Sequence, residues 1–155
     1  MSDSAADIRP SVGETVTTHG RTVTDADLQS WAGLVHDFTR LHVDAEYMKD
    51  TPFGRPIAHG YIAMNLSVGL MFPDLASWYS PDGQDRTLGW TDVGFVAPVH
   101  VGDTLTCRRT VTAVADDEIV HRVEVLNQED TVVMTGTERL APPRAPKTAS
   151  ERNTW

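Results

Sequence analysis

Residues 35–71 read VHDFTRLHVDAEYMKDTPFGRPIAHGYIAMNLSVGLM, and this stretch decides how the rest of the chain is arranged. Asp37 and His42 lie in its polar first part, whereas residues 59–71 carry no formal charge apart from histidine. Apolar residues occur on every side of this last run, and a surface helix would show a polar face instead. The pattern predicts a helix buried in the middle of the domain, beginning at His59-Gly60.

The segment between residues 38 and 58 has no helical periodicity. TPFGRP at 51–56 contains two prolines, each of which disfavours helical geometry in the residue before it. The segment therefore predicts a long loop, and loops of this length in compact domains often carry function.

The chain before this stretch predicts a strand or hairpin and then a helix. Residues 13–23 are rich in Thr and Val, with Gly20 as an interruption. Thr24 has the chemistry of an N-cap, and Asp25 and Asp27 place negative charge where the helix dipole favours it. Apolar residues then recur at helical spacing, which predicts a short amphipathic helix ending near His36: Leu28, Trp31, Ala32 and Val35.

The chain after residue 71 is dominated by strand patterns. A connection at 72–85 leads to alternating segments at 87–95, 105–113, 119–126 and 131–140, with a bend at APVHVGD, 97–103. The predicted fold class is α+β, one long central helix wrapped by an antiparallel sheet. We expect a flexible N-terminus at 1–10, a single domain at 11–141 and a flexible Pro-rich tail at 142–155.

Composition restricts the partners. The net charge of −9 argues against nucleic-acid binding, so an anionic substrate would need a local patch drawn from the available basic side chains: Lys49, Arg55, Arg86, Arg108 and Arg109. No apolar run suits a membrane span, and the first residues lack the pattern of a signal peptide. Cys107 is the only cysteine, which excludes an intrachain disulfide, and we expect a cytoplasmic protein.

Three groups within residues 35–71 are candidates for a catalytic role. Asp37 and His42 have the residue types that hold a water and transfer its proton, and the Gly60 N–H at the helix start suits a developing oxyanion. Each also has a structural interpretation: a turn aspartate, a packed histidine, and a glycine that lets the loop enter the helix. His59 is equally suited to capping, packing or substrate contact. Neither a metal nor a cofactor is predicted, because ligand clusters and Gly-rich phosphate loops are missing from the sequence.

Three segments together resemble a known family: DFTRLH at 37–42, FGRPIAHG at 53–60 and APVHVGD at 97–103. They are similar to MaoC-like acyl dehydratases, which include the (R)-specific enoyl-CoA hydratases, over residues 13–140. The resemblance implies the hotdog fold, an Asp37/His42 catalytic dyad and an oxyanion-hole N–H at Gly60. Three positions depart from the family's Gly-Asp-x-Asn-Pro-x-His segment, since His36 stands for Gly, Thr39 for Asn and Arg40 for Pro.

The resemblance implies a hydro-lyase of fatty acid metabolism. Its substrate would be an α,β-unsaturated acyl thioester of CoA or of acyl carrier protein. Expected substrate contacts are His59, Tyr61, Phe53 and Asn65, and exposed sheet edges favour a homodimer or higher oligomer. Two alternatives stay open. One is a tailoring dehydratase, isomerase or cyclase acting on a carrier-bound chain, and the other is a non-catalytic subunit that binds acyl thioesters.

Overall fold

The computed structural model describes residues 10–71 and 86–141. The predicted tails, apart from Pro10, lie outside these ranges, and so does the whole of the predicted connection at 72–85. None of the helices in the described ranges is long and apolar enough to cross a membrane.

Six strands form one antiparallel sheet, in the order β1-β4-β5-β6-β3 with β2 also paired to β4. The strand bounds are β1 Thr15–Thr17, β2 Arg21–Thr22, β3 Arg86–Phe95, β4 Thr104–Val114, β5 Ile119–Leu126 and β6 Val132–Ala141. The strands predicted from alternation are therefore confirmed within one residue at each end. The helices are α1 Asp25–Val35, α2 Arg40–Val43, α3 Ala45–Met48 and α4 Gly60–Gly69.

The inward face of the sheet follows from the alternation of residues along the long strands. On β4, the buried residues recur every second position from Leu105 through Cys107 and Arg109 to Val111, while Thr106, Arg108 and Thr110 between them are more exposed. On β5, Ile119 and Val123 are buried on the same face. This face packs against α4, which contacts β4, β5 and β6.

Helix α1 begins and ends as its sequence predicts. The Thr24 hydroxyl accepts the Asp27 N–H and the Asp27 carboxylate accepts the Thr24 N–H, which makes a capping box. Leu28 and Ala32 are buried on the inner side of the helix. The helix ends at His36, whose φ of 57° lies in the left-handed region.

Helix α4 is central but is not buried all round, so that prediction was wrong in part. Ile62, Ala63 and Ser67 are buried against the sheet, whereas Tyr61 and Asn65 are exposed on the opposite side. The sheet covers one side of α4 and helix α1 contacts α4 as well, but neither buries Tyr61 or Asn65.

The predicted loop at 38–58 contains two four-residue helices, α2 and α3, which the sequence analysis did not expect. Asp44 lies between them: its backbone N–H ends α2 by bonding to Arg40 O, and its carboxylate caps α3 by accepting the Tyr47 N–H. The Pro-containing part at 51–56 has no helix, as predicted.

A polar cluster lies beneath α4 in the otherwise apolar core. Arg109 on β4 and Glu138 on β6 are fully buried and form an ion pair, and the Arg109 Nη2–H also donates to Ser67 O at 3.3 Å. The Thr87 hydroxyl donates to the same glutamate at 2.9 Å. Arg109 is therefore not available to an anionic substrate, and Lys49 and Arg108 are likewise paired, with Glu46 and Glu124.

Candidate active site

Asp37 is positioned by the end of α1. The left-handed His36 turns the chain, and the Asp37 N–H donates back to Ala32 O at 3.2 Å. The backbone N–H and the hydroxyl of Thr39 both donate to Asp37 Oδ1, at 3.1 and 2.5 Å. Thr39, a departure from the family motif, thus supports the carboxylate twice, and its other oxygen, Oδ2, remains open.

His42 faces that open oxygen from α2. Its Nδ1 lies 2.7 Å from Ile57 O, and a carbonyl oxygen can only accept, so Nδ1 carries the hydrogen. The Nε2 atom of a neutral ring then holds a lone pair, 4.0 Å from Asp37 Oδ2. The histidine side chain is only 12% exposed, whereas that of Asp37 is 42% exposed, so the pair opens to solvent on the aspartate side.

His59 completes a three-residue cluster from the N-cap of α4. Its ring stacks on His42, with centroids 3.6 Å apart and planes inclined by 24°. Its Nε2–H donates to the backbone oxygen of Asp37 at 3.1 Å and lies 3.6 Å from Oδ2. The side chain is 4% exposed, and its Nδ1 has no hydrogen-bond partner among the described residues.

The hydrogen bonds and burial determine charge in this cluster. The Thr39 hydroxyl, followed by the Thr39 N–H, lowers the pKa of Asp37, because both donate to the ionised carboxylate. Burial lowers the pKa of His59, since its charged form would lose solvation. At neutral pH the cluster therefore contains an anionic Asp37 beside a neutral His59.

Gly60 is the first residue of α4, so its N–H has no acceptor inside the helix. The ring of Phe95 lies flat against its Cα, and a Cβ there would come within 2.6–2.8 Å of three ring atoms. Phe95 in turn makes an edge contact with Tyr61, with centroids 5.3 Å apart. Any side chain at position 60 would therefore force the Phe95 ring to move.

The loop that leads into α4 is fixed from two sides. Ile57 N–H donates to Leu41 O at 3.0 Å, which ties the loop to α2. Ala58 N–H donates to Val99 O at 2.7 Å, and His100 Nδ1–H donates to Pro56 O at 3.1 Å. The APVHVGD segment therefore acts as a brace for the loop that carries His59 and Gly60.

The cluster has the composition of a metal site but not its orientation. The candidate ligand atoms of Asp37, His42 and His59 all lie within 4.8 Å of one another. An imidazole coordinates through a lone pair in the plane of its ring, and two stacked rings cannot both direct that lone pair at one ion. The Nε2 of His59 also carries a hydrogen engaged with Asp37 O.

The other predicted site residues are dispersed. Phe53 is exposed in the loop and Tyr61 is exposed beside Phe95. Asn65 lines a groove of about 280 Å³ between α1 and α4, together with six other residues: Asp27, Ser30, Trp31, Leu34, Ile62 and Leu66. Arg40 turns away from Asp37, pairing with Asp44 at 2.8 Å and covering the ring of Tyr47 at 4.0 Å.

Comparison with known proteins identifies the family. Residues 7–133 match the family model described as a MaoC like domain. The chain belongs to the MaoC-like dehydratase family. The resemblance in the three sequence segments is thereby confirmed.

Relatives agree with this assignment. An (R)-specific enoyl-CoA hydratase of Aeromonas caviae is 32% identical over 113 residues, which is 72% of this chain and 80% of that protein. A 3-hydroxyacyl-thioester dehydratase Z of Mycobacterium tuberculosis is 30% identical over 117 residues, 74% of this chain and 75% of the relative. The solved structure of an (R)-hydratase from A. caviae matches with a TM-score of 0.74 at 28% identity, covering 86% of this chain and 98% of that one. The predicted hotdog fold is confirmed.

Two residues at the site were missed by the sequence analysis. Phe95 covers Gly60, yet in the sequence it is one more apolar residue at a strand end. Thr39 was noted only as a departure, although a hydroxyl two residues after an aspartate is a common local donor to it.

Proposed function

We propose that this MaoC-like protein adds water to, or removes it from, an α,β-unsaturated acyl thioester, using Asp37, His42 and the Gly60 N–H. The observation that supports this most is the hydrogen bond from His42 Nδ1–H to Ile57 O, because it leaves the Nε2 lone pair opposite Asp37 Oδ2. A proton acceptor and a carboxylate then face the same space.

The separation of the two groups suits a water molecule. A gap of 4.0 Å is too long for a direct hydrogen bond, but a water can bridge it with two bonds of about 2.8 Å. Because its lowered pKa keeps Asp37 ionised, this residue is a weak base and acts as an acceptor that holds the water. His42 is left as the group that takes the proton.

In the hydration direction the water oxygen forms a bond to the β-carbon as His42 Nε2 takes one of its hydrogens. The electron pair of the carbon–carbon double bond moves toward the thioester carbonyl and gives an enolate. His42 Nε2–H then returns the proton to the α-carbon, so that the net change is addition of one water. Dehydration follows the same steps in reverse, and Asp37 stabilises the charged imidazolium in both directions.

Gly60 N–H is proposed as the donor to the enolate oxygen. It lies at the N-terminus of α4, where the helix dipole adds positive potential, and its hydrogen is not used within the helix. Tyr61 and Phe53, both exposed, are proposed to contact the thioester or acyl chain, and Asn65 to contact it from the groove beside α1.

The first experiment tests hydration of crotonyl-CoA or a longer enoyl-CoA. Turnover is measured as the decrease in absorbance of the double bond conjugated with the thioester carbonyl. We expect Asp37→Asn and His42→Ala to abolish turnover while circular dichroism stays unchanged. Asp50→Asn and His19→Asn remove an exposed aspartate and an exposed histidine outside the site, and they are expected to keep wild-type rates. Full activity in both site variants would refute the dyad.

The oxyanion donor has its own test, because proline at the first helical position deletes an N–H without breaking the helix. His59 has φ −58° and ψ 132°, the geometry that a residue before proline prefers. Phe95→Ala first removes the ring that any Cβ would strike. In that background Gly60→Pro should lose about 10²–10³ in kcat relative to Gly60→Ala, which keeps the N–H. Equal rates would exclude this donor.

The carrier is distinguished by comparing CoA-bound and carrier-protein-bound forms of one acyl chain. A higher kcat/KM with the carrier form would favour a tailoring enzyme. Thermal stabilisation by an acyl-CoA without any product would favour the non-catalytic alternative.

We propose that the protein acts as a homodimer in the cytoplasm. Strand β3 lies at the edge of the sheet, and Leu88, Val93 and Phe95 on it are all exposed in the single chain. An apolar edge strand invites pairing with a second copy. Light scattering should give about twice the 17.0 kDa mass of the chain, and a mass of one chain would contradict the dimer.

A further inference from the structure

We propose that His59 is a positioning residue, which holds the Asp37 turn against the first turn of α4 and stacks on His42, so that the two proposed catalytic groups keep their separation. The inference rests on the proposed function, and it changes the role first expected for His59. A side chain that is 4% exposed and already engaged on two sides is a poor substrate contact.

The contacts of His59 reach both members of the dyad at different points. Its Nε2–H binds the main-chain oxygen of Asp37 at 3.1 Å, and this leaves Oδ2 free to hold water. Its ring face lies 3.6 Å from that of His42, which prevents the catalytic ring from tilting toward α4. Because His42 is also held at Nδ1 by Ile57 O, the stack and this hydrogen bond together determine where its Nε2 points.

The role requires a neutral ring. If His59 were protonated, its buried Nδ1–H would face no acceptor among the described residues. Its positive charge would also stack on His42 and oppose the imidazolium that forms there during turnover. Attraction of the nearby Asp37 Oδ2, 3.6 Å away, would draw the carboxylate out of the water site.

Two substitutions separate the two contacts. His59→Phe keeps a ring for stacking but removes the donor to Asp37 O, whereas His59→Gln keeps an N–H near the position of Nε2 and removes the ring. We expect kcat to fall roughly tenfold to a hundredfold in His59→Phe, and less in His59→Gln, with KM changed by less than about twofold in both. Ala63→Gly is the matched control, since it weakens α4 at a buried residue without touching the dyad.

A mutant cycle distinguishes positioning from general support of the fold. If His59 acts through Asp37, then His59→Phe should cost little further kcat in an Asp37→Asn background. A structural role instead predicts the same fractional loss in both backgrounds, and a comparable loss of kcat in Ala63→Gly. Either of these outcomes, or an unchanged kcat in His59→Phe, would overturn the proposal.

A measurement without substrate keeps this inference separate from the proposed reaction. In protein labelled with ¹⁵N-histidine, His59 should show a protonated Nε2 and an unprotonated Nδ1 at pH 7, and the His42 ring signals should shift in His59→Phe. An Nδ1–H tautomer or a charged His59 at pH 7 would refute the inference even if hydratase activity is found. An inactive wild-type protein with the expected His59 signals would refute the proposed function alone.

Discussion

His121 should make the folded protein less stable in mild acid. It lies on β5 with a fully buried side chain, directly opposite Glu138 on β6 and Val111 on β4. Burial, followed by the positive charge of Arg109, lowers the pKa of His121 from 6.5 to about 4. Between these two pH values the unfolded chain binds a proton that the folded chain excludes, so the free energy of unfolding rises with pH.

The magnitude follows from the two pKa values. A difference from 6.5 to about 4 corresponds to about 3 kcal/mol at 1.36 kcal/mol per pKa unit. This stabilisation is fully present above pH 6.5 and is lost as the pH falls toward 4. Between pH 7 and pH 4.5 the loss attributable to His121 alone is about 2 kcal/mol.

Urea denaturation at pH 7 and pH 4.5, at one protein concentration, measures this loss. His121→Gln replaces the ring by a polar side chain that does not titrate, so the decrease in unfolding free energy should be smaller by about 2 kcal/mol than in the wild type. His19→Gln makes the same substitution at an exposed position and should retain the wild-type decrease. If His121→Gln shows the same decrease as the wild type, the reasoning from burial is wrong.

Two further predictions concern buried or bonded charges. Thr39→Val removes the hydroxyl that does most to lower the pKa of Asp37, so a ¹³C-carboxyl titration should give a higher Asp37 pKa than in the wild type, with Thr39→Ser unchanged. Arg109→Met leaves Glu138 buried without its partner and should cost about 3–5 kcal/mol in urea denaturation, whereas Arg109→Met combined with Glu138→Leu should be less destabilised than the single variant. Equal destabilisation of the single and double Arg109 variants would contradict that account.

Much of the fold could be predicted because its determinants are local. Thr24 and Asp27 lie three residues apart and cap α1 without help from the rest of the chain. Alternation along β4 to β6 identified the strands. The same alternation also indicates which side chains on each strand face the core. Arg109 has the same parity as Leu105 and Cys107, so its burial could have been predicted. Its partner could not, since pairing with Glu138 depends on two strand registers.

The sequence named part of the candidate site but not its geometry. Asp37, His42 and Gly60 were named from residue type and spacing, and His59 was left between capping, packing and contact. α2 and α3 each span four residues, too few to show a periodic pattern, yet α2 determines where His42 lies. The stack of His42 on His59 and the bond to Ile57 O join segments 15 or more residues apart.

The local bonds from Thr39 and the long-range bond to Ile57 O also support different proposed roles for two residues that sequence alone leaves equivalent. When an aspartate and a histidine face one water, either residue could accept its proton while the other holds it by a hydrogen bond. Here Thr39 donates two hydrogen bonds to the Asp37 carboxylate, which favours its anionic form. Ile57 O accepts from His42 Nδ1–H, so the lone pair of a neutral His42 is on Nε2, on the side of Asp37. In the proposed reaction we therefore assign the proton of a bridging water to His42, because the donors to Asp37 lower its pKa and weaken it as a base.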